Sequence, residues 1–440
     1  MSTSEYPPIP RRQSLPSWRN RNAPLSPPSS KPFVSYVAPN SLPHLESSLP
    51  PDRQLREGLE DERLEILPVP LSDDLDDEDP KIENCQPIGS YNWTKHHNPT
   101  IIVPGSAPEW NNRAMPYNVK PDSGIFIIDQ NTHRMPSASL LPLLVAVNQK
   151  CKNEGADPFP WGTMDLVTDR NGLRKLLRWI GGGEVKEFRI DAQLAGEKTI
   201  LLNRWEKRTR EELSGRTYGF NFEKASTVAA AGCEQSSGHH RIISYDFDGL
   251  KMVVRYELDA CMPAPRHRFA RKSESSLDAL TKSLQTMNLT STAAPFSSSN
   301  MPALTIIKGG NHVPQASTIE LVTVGEGRRP HVDWKDYYPQ VYLSQTVHHF
   351  MAIHRRGYFT ALEKRKLSSP HLQDVHQEMI PEFKKLRKVL GMIQGLVIKH
   401  GKSGRLSFVC SGGQMSVYQR KSNASCLPEE AMSCFNVKDI

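Results

Sequence analysis

The sequence predicts a mixed α/β (α+β) fold, a mixed β-sheet flanked by helices, behind a disordered N-terminal arm. Three observations predict it. Apolar runs of strand length alternate with segments of helical period after residue 80. Of 35 prolines, 15 fall before residue 81. Hydrophobic residues make up 37% of the 440, low for a chain packed from end to end.

Residues 1–80 read as the arm. Prolines, serines and arginines alternate there with few aromatics, as in Pro24-Leu25-Ser26-Pro27-Pro28. Such a composition buries too little apolar area to offset chain entropy. The arm ends in an acidic run. Within it, Asp73-Asp74-Leu75-Asp76-Asp77 matches in form the magnesium motif of prenyl-diphosphate synthases. That motif needs a buried helix facing a second aspartate cluster. Here prolines 68, 70 and 80 flank it and no second cluster occurs, so it reads as a solvated linker.

Residues 81–440 read as a single domain. Ile101-Ile102-Val103 is a strand stopped by Pro104-Gly105, and residues 124–128 form another. Residues 137–150 read as a helix capped by Ser137, with Leu140, Leu141, Leu144 and Val145 on one face. Residues 171–180 form a second helix, with Leu173, Leu176, Leu177 and Ile180 inward and Arg174, Lys175 and Arg178 outward. Gly181-Gly182-Gly183 ends it; no Gly-Lys-Ser/Thr follows, which excludes a phosphate loop. Residues 242–247 and 250–258 form a hairpin about Asp248-Gly249. Residues 271–302, rich in serine, threonine and alanine, read as a surface insertion. Order resumes with a strand at 318–323, a helix at 334–345 and a strand at 349–354. A long helix, capped near Ser368 or Ser369, runs with a proline interruption toward residue 398, and 406–410 and 415–419 close a final hairpin.

The net charge of +7 suits an anionic partner without requiring one. No apolar run reaches the roughly 18 residues needed to span a bilayer, and residues 1–12 lack a secretory pattern. Seven scattered cysteines without a Cys-x-x-Cys pair disfavour a disulfide framework or structural zinc and point to a reducing compartment. The expected location is intracellular, nucleus or cytoplasm, with no membrane partner. The histidine pairs His96-His97, His239-His240 and His348-His349 point to opposite faces of any strand, so none is a ready zinc site.

The informative feature is the acids. Glu257 and Asp259, two apart, share one face of a strand while Leu258 points inward. Glu320 sits between Ile319 and Leu321, and Glu223 ends the strand-like Gly219-Phe220-Asn221-Phe222. Carboxylates emerging from apolar strands are costly unless paired or bound to metal. Several hard oxygen donors together suit Mg²⁺ or Mn²⁺. Pairing with arginines such as Arg255 is the alternative, and taken singly each acid fits it better.

Five segments, in order, resemble the RNA decapping exonuclease family, which includes the nuclear partner of the 5′-to-3′ exoribonuclease. Residues 165–173 (Asp-Leu-Val-Thr-Asp-Arg-Asn-Gly-Leu) resemble its Val-Thr-Trp-Arg-Gly-Leu segment, and Tyr218-Gly219-Phe220-Asn221-Phe222-Glu223 its Gly-Tyr-Lys-Phe-Glu. Glu257-Leu258-Asp259-Ala260-Cys261 resembles Glu-Val-Asp-Cys, and Ile319-Glu320-Leu321-Val322-Thr323 resembles Val-Glu-Leu-Lys-Thr. Pro339-Gln340-Val341-Tyr342-Leu343 resembles the glutamine-bearing helix that follows. Divergent fungal relatives bear the label geranylgeranyl pyrophosphate synthetase, which this sequence supports only through the linker motif rejected above.

The resemblance implies a nuclease-type core that hydrolyses incompletely capped or triphosphorylated RNA 5′ ends. By position it implies Glu223, Glu257, Asp259 and Glu320 as ligands of two divalent ions, Mg²⁺ or Mn²⁺, with the Leu321 carbonyl. Glu320, Asp259 and Gln340 would act in catalysis, with Gln345 a rival for the glutamine's role. Arg170 would contact RNA phosphate or be a solvated residue at a helix start. Arg174 and Lys175 would extend that contact or form a solvated face. The implied partners are an RNA 5′ end and a 5′-to-3′ exoribonuclease. One departure stands out. Val322 replaces the motif lysine, so either a cation such as Lys335 substitutes or the chain is a non-catalytic RNA- or protein-binding descendant. Asp169 replaces the motif tryptophan and puts negative charge near the implied RNA path.

Overall fold

Two mixed sheets carry the fold, and the chain passes from one to the other at the residues singled out above. The computed structural model describes residues 49–183, 185–263, 291–293 and 303–436. Residues 1–48 and most of the expected insertion at 271–302 lie outside the described residues.

The larger sheet has twelve strands. Its centre is the hairpin Ser236–Phe247 and Leu250–Glu257, closed between Phe247 and Leu250. Asp248 (φ 51°) and Gly249 (φ 80°) supply the two positive φ values that a two-residue turn of this hand demands. Strand Ile82–Thr94 pairs antiparallel on one side of the hairpin, and Leu166–Asp169 pairs parallel on the other. Side chains alternate across this sheet. Ile243, Met252, Val254 and Tyr256 join a core with helices Arg170–Ile180 and Pro370–His400. Ile242 and Val253 join a second core under helix Leu141–Glu154. Helices therefore cover both faces, the arrangement expected of a mixed α/β chain.

The second sheet has seven strands. Strand Thr318–Gly325 pairs parallel with His348–Arg355, which returns as Tyr358–Lys366. Ala260–Cys261 pairs with Ile319 and Thr318. The strand Leu250–Glu257 of the large sheet is thus tied, through Leu258 and Asp259 alone, to the small one.

Four expectations change. The arm does not extend to residue 80. Leu59–Leu67 is a strand paired antiparallel with Gln414–Arg420 at the edge of the large sheet. Backbone pairing, with Leu59 and Leu67 buried at its ends, orders a segment whose charged composition reads as disordered. The acidic run is tied down as well, since Lys384 Nζ meets Asp79 Oδ1 at 3.1 Å. The helix expected from Ser137 starts at Leu141, because Pro142 suits a first turn and needs no partner for a missing N–H. Pro381 does not interrupt the last helix: Met379, Phe383 and Leu386 are buried around it, and their packing outweighs one lost hydrogen bond. Glu223 sits on a helix, Gly219–Ser226, not a strand. There Phe222 is buried against Phe359 while Phe220 faces outward, and the Asn221 N–H donates to Asp122 Oδ1 at 2.9 Å.

The edge strand gives a first expected result. Leu67→Ala should cost about 2–4 kcal/mol in urea unfolding, as a large-to-small change in a core. Leu64→Ala, 44% exposed on the same strand, should stay within about 0.5 kcal/mol. Equal small effects would show that the strand contributes nothing to the core.

Candidate active site

A cavity of about 270 Å³ opens where the chain crosses between the sheets. Five elements deliver the lining residues singled out in the sequence. Glu257 ends its strand, and Asp259 follows one buried leucine later. Glu320 comes from Thr318–Gly325, Glu223 from helix Gly219–Ser226, and Gln340 from helix Trp334–Tyr342. Asp169 caps helix Arg170–Ile180, its Oδ1 accepting from the Gly172 N–H at 3.2 Å, and this cap aims Arg170 inward.

Of the residues singled out in the sequence, Arg170, Arg174, Glu223, Glu257, Asp259, Glu320, Leu321 and Gln340 line this cavity. Lys175 does not. It pairs with Glu206 at 2.7 Å and lines a neighbouring groove of about 690 Å³. Lys335 lines that groove too and pairs with Glu378. Val322 packs in a small apolar cluster with Val324, Met351 and Ile353. The Gln345 amide bonds to the Tyr342 carbonyl at 2.7 Å, away from the cavity.

Glu320, 1% exposed, is held by two donors. Arg170 Nη1 meets its Oε2 at 2.7 Å, and Gln340 Nε2 donates to Oε1. Arg170 also lies 5.5 Å from the Tyr256 ring centre and donates to the Gln340 carbonyl. Asp259 Oδ2 accepts from the Leu321 N–H at 2.8 Å. The motif leucine therefore contributes its amide to the arrangement.

Further charged and polar residues line the cavity, and among them Asp129, Arg204 and His240 stand outside the site read from the sequence. Asp129 caps helix Gln130–Arg134 and meets Arg204 Nη2 at 2.8 Å. Arg204 reaches Asp169 Oδ1 at 3.4 Å, and Arg255 reaches Asp169 Oδ2 at 3.4 Å. His240 stacks on Tyr91 with ring centres 5.1 Å apart. Asp129 and Arg204 each follow an apolar strand run, the same signal that marks Glu320, but neither lies in a motif segment. The negative charge expected of Asp169 is neutralised by these two arginines.

Six carboxyl groups and four guanidiniums line the cavity, so the acids outnumber the cations. Burial first, and then Glu257 and Glu320, push the Glu223 carboxyl up to about 8. Burial, with Glu320 and Glu223, raises Asp259 well above the usual range. Glu257 rises to about 7, chiefly from enclosure by protein, opposed by Arg170. Its side chain remains open to solvent in the cavity, so enclosure here means crowding more than dryness. Neither Glu223 nor Glu257 has an ion-pair partner among the described residues.

These three carboxyls fit a hard divalent cation in donor type and in their unmet demand for positive charge. Among the described residues, no three acid, histidine or cysteine side chains stand close enough together to share one ion as placed. Glu320, the fourth acid of the set, is paired with Arg170 and Gln340.

A family profile, described as Domain of unknown function (DUF8563), matches residues 81–435. The chain belongs to that family. Its fold is also that of several solved structures, all too distant in sequence to carry more than fold. A mutant of S. pombe Rai1 in complex with 3′-FADP matches with TM-score 0.51 and 10% identity, over 79% of this chain and 97% of that one. Candida albicans Rai1 in complex with pU5-Mn²⁺ matches at 0.50 and 12%, over 84% and 98%. Scheffersomyces stipitis Rai1 in complex with (3′-NADP)⁺ and calcium ion matches at 0.51 and 11%, over 80% and 95%. No curated protein matches the chain. The mixed fold of sheets flanked by helices expected from the sequence is therefore the fold present, and these Rai1 structures share it. Among the described residues, no helix is long and apolar enough to cross a membrane.

Proposed function

We propose that this chain is a divalent-metal-dependent hydrolase of RNA 5′ ends, of the decapping, pyrophosphohydrolase or 5′-to-3′ exonuclease type. The observation that carries the reading is the composition of this cavity: three cation-seeking carboxyls facing four arginines. Polyphosphate and metal together complement that pattern, and neither does alone. That similar folds were solved with pU5-Mn²⁺ and with calcium ion supports the metal class. Glu223, Glu257 and Asp259 would hold Mg²⁺ or Mn²⁺, two ions on the motif resemblance, with Glu320 joining on release from Arg170. Bound there, such ions acidify water and neutralise charge developing on phosphate. Arg170 and Arg174 bind and orient the phosphates. Gln340 holds Glu320 in register. Lacking a lysine at 322, this site draws its cation beside Glu320 from Arg170.

A second reading rests on that same pair. With Glu320 committed to Arg170 and Gln340, the chain would bind RNA 5′ ends without cleaving them. The deciding assay follows 5′-triphosphorylated and incompletely capped RNA with Mn²⁺. Product release abolished by EDTA and by Asp259→Asn supports the hydrolase. Tight RNA binding with no turnover supports the binder.

Metal binding itself has an expected signature. At 100 times its Kd, Mn²⁺ should stabilise the protein by about 2.7 kcal/mol, which for a body of this size raises Tm by about 3 °C. Ligation displaces protons from Glu223, near 8, and Glu257, near 7, so at a fixed Mn²⁺ concentration the shift should grow between pH 6 and 8.5. A shift independent of pH would place the ion elsewhere.

A further inference from the structure

Close in sequence to residues that line the cavity stands an aromatic pair that neither the fold nor the metal chemistry uses. Phe220, in the first turn of helix Gly219–Ser226, stacks on Phe126 of strand Ser123–Ile127 with ring centres 4.5 Å apart and planes 22° apart. Phe220 is 41% exposed, so the pair keeps an open aromatic face. An exposed phenylalanine stacked on a second ring has no role in a core, and its apolar surface is unfavourable in water unless something covers it.

Both elements run directly into the cavity. Ile128, two residues past Phe126, lines it and is itself 39% exposed. Glu223, three residues past Phe220 and so its neighbour on the helix surface, lines it as well. Through Ile128 and Glu223 the ledge adjoins a cavity whose arginines suit phosphate. A nucleotide presents a phosphate and a flat ring within a single residue length.

We propose that Phe220, backed by Phe126, is the stacking platform for a nucleobase of the strand whose 5′ phosphates enter the cavity. This rests on the RNA reading above and adds to it a base-contacting subsite without base identity. Stacking accepts every base because each has a π-face. The platform therefore makes the site selective for a nucleotide over free polyphosphate, while tolerating sequence.

The test measures binding of a 5′-monophosphorylated pentanucleotide RNA to the full chain by fluorescence anisotropy, with Ca²⁺ as the ion. Phe220→Ala should weaken binding about 5- to 100-fold, the range for loss of one stacked base, and Phe220→Trp should retain it. An RNA abasic at its first two positions should bind the wild type weakly and be indifferent to Phe220→Ala. Thermal melts of both variants confirm folding. If the wild type binds RNA and neither Phe220→Ala nor base removal changes Kd, the platform is overturned while the RNA reading stands. If the wild type binds no RNA, both fall. If Phe220→Ala instead dissolves a dimer seen without RNA, the ledge belongs to a second copy of the chain and the platform is overturned.

Discussion

Arg170→Ala is expected to lower stability by about 3–5 kcal/mol, the cost of leaving a buried carboxylate without its cation. Arg170 and Glu320 side chains are 7% and 1% exposed, and they meet at 2.7 Å. Gln340 still donates to Glu320, but an amide carries no charge to offset it. Replacing both partners with apolar residues of similar size, Arg170→Met with Glu320→Leu, should recover most of the loss, because an apolar pair pays no desolvation. Urea unfolding at pH 7.5 measures both. The metal reading adds a further expectation: Mn²⁺ should rescue part of the loss in Arg170→Ala, since Glu320 is then free to join the other acids. A fall below about 1 kcal/mol would mean the pair is reached by solvent. A full loss with no rescue would separate Glu320 from the metal site.

Glu257→Gln combined with Asp259→Asn should cut Mn²⁺-dependent hydrolysis by about two to three orders of magnitude. The same variant should melt higher than the wild type at pH 8 without metal. The sign follows from the raised proton affinities of both groups. Above about pH 4.5 the unfolded chain has released these protons while the folded chain still holds them, so wild-type stability falls as pH rises toward the folded values. Neutral amides remove that dependence. The difference between variant and wild type should therefore vanish at low pH, where both states are protonated, and widen toward pH 8. A variant less stable than the wild type at every pH would mark these acids as structural.

Much of the fold was legible in the sequence because it depends on local pattern. The 3.6-residue spacing of Leu173, Leu176, Leu177 and Ile180 set one helix, and Asp248-Gly249 between two alternating runs set the central hairpin. Strand Leu59–Leu67 was not legible. Its order comes from a pairing with residues about 350 positions away, and only its end leucines are buried. Glu223 misled for a related reason. Alternating aromatics in Gly219-Phe220-Asn221-Phe222 imitate a strand, yet one ring serves a core and the other a surface, on a helix begun by the distant Asp122.

The sequence by itself determined the element types, the acids that could matter and the missing lysine at position 322. Composition and period act over a few residues, and a motif position is a property of the chain alone. Only the tertiary structure decided which charges meet. It set Arg170 on Glu320 across 150 positions of sequence, joined Asp169 to Arg204 and Arg255, and left Lys175, Lys335 and Val322 outside the cavity. Ion pairing falls off over a few ångströms, so partners are chosen by where two sheets and their helices bring side chains together, and no spacing along the chain encodes that distance.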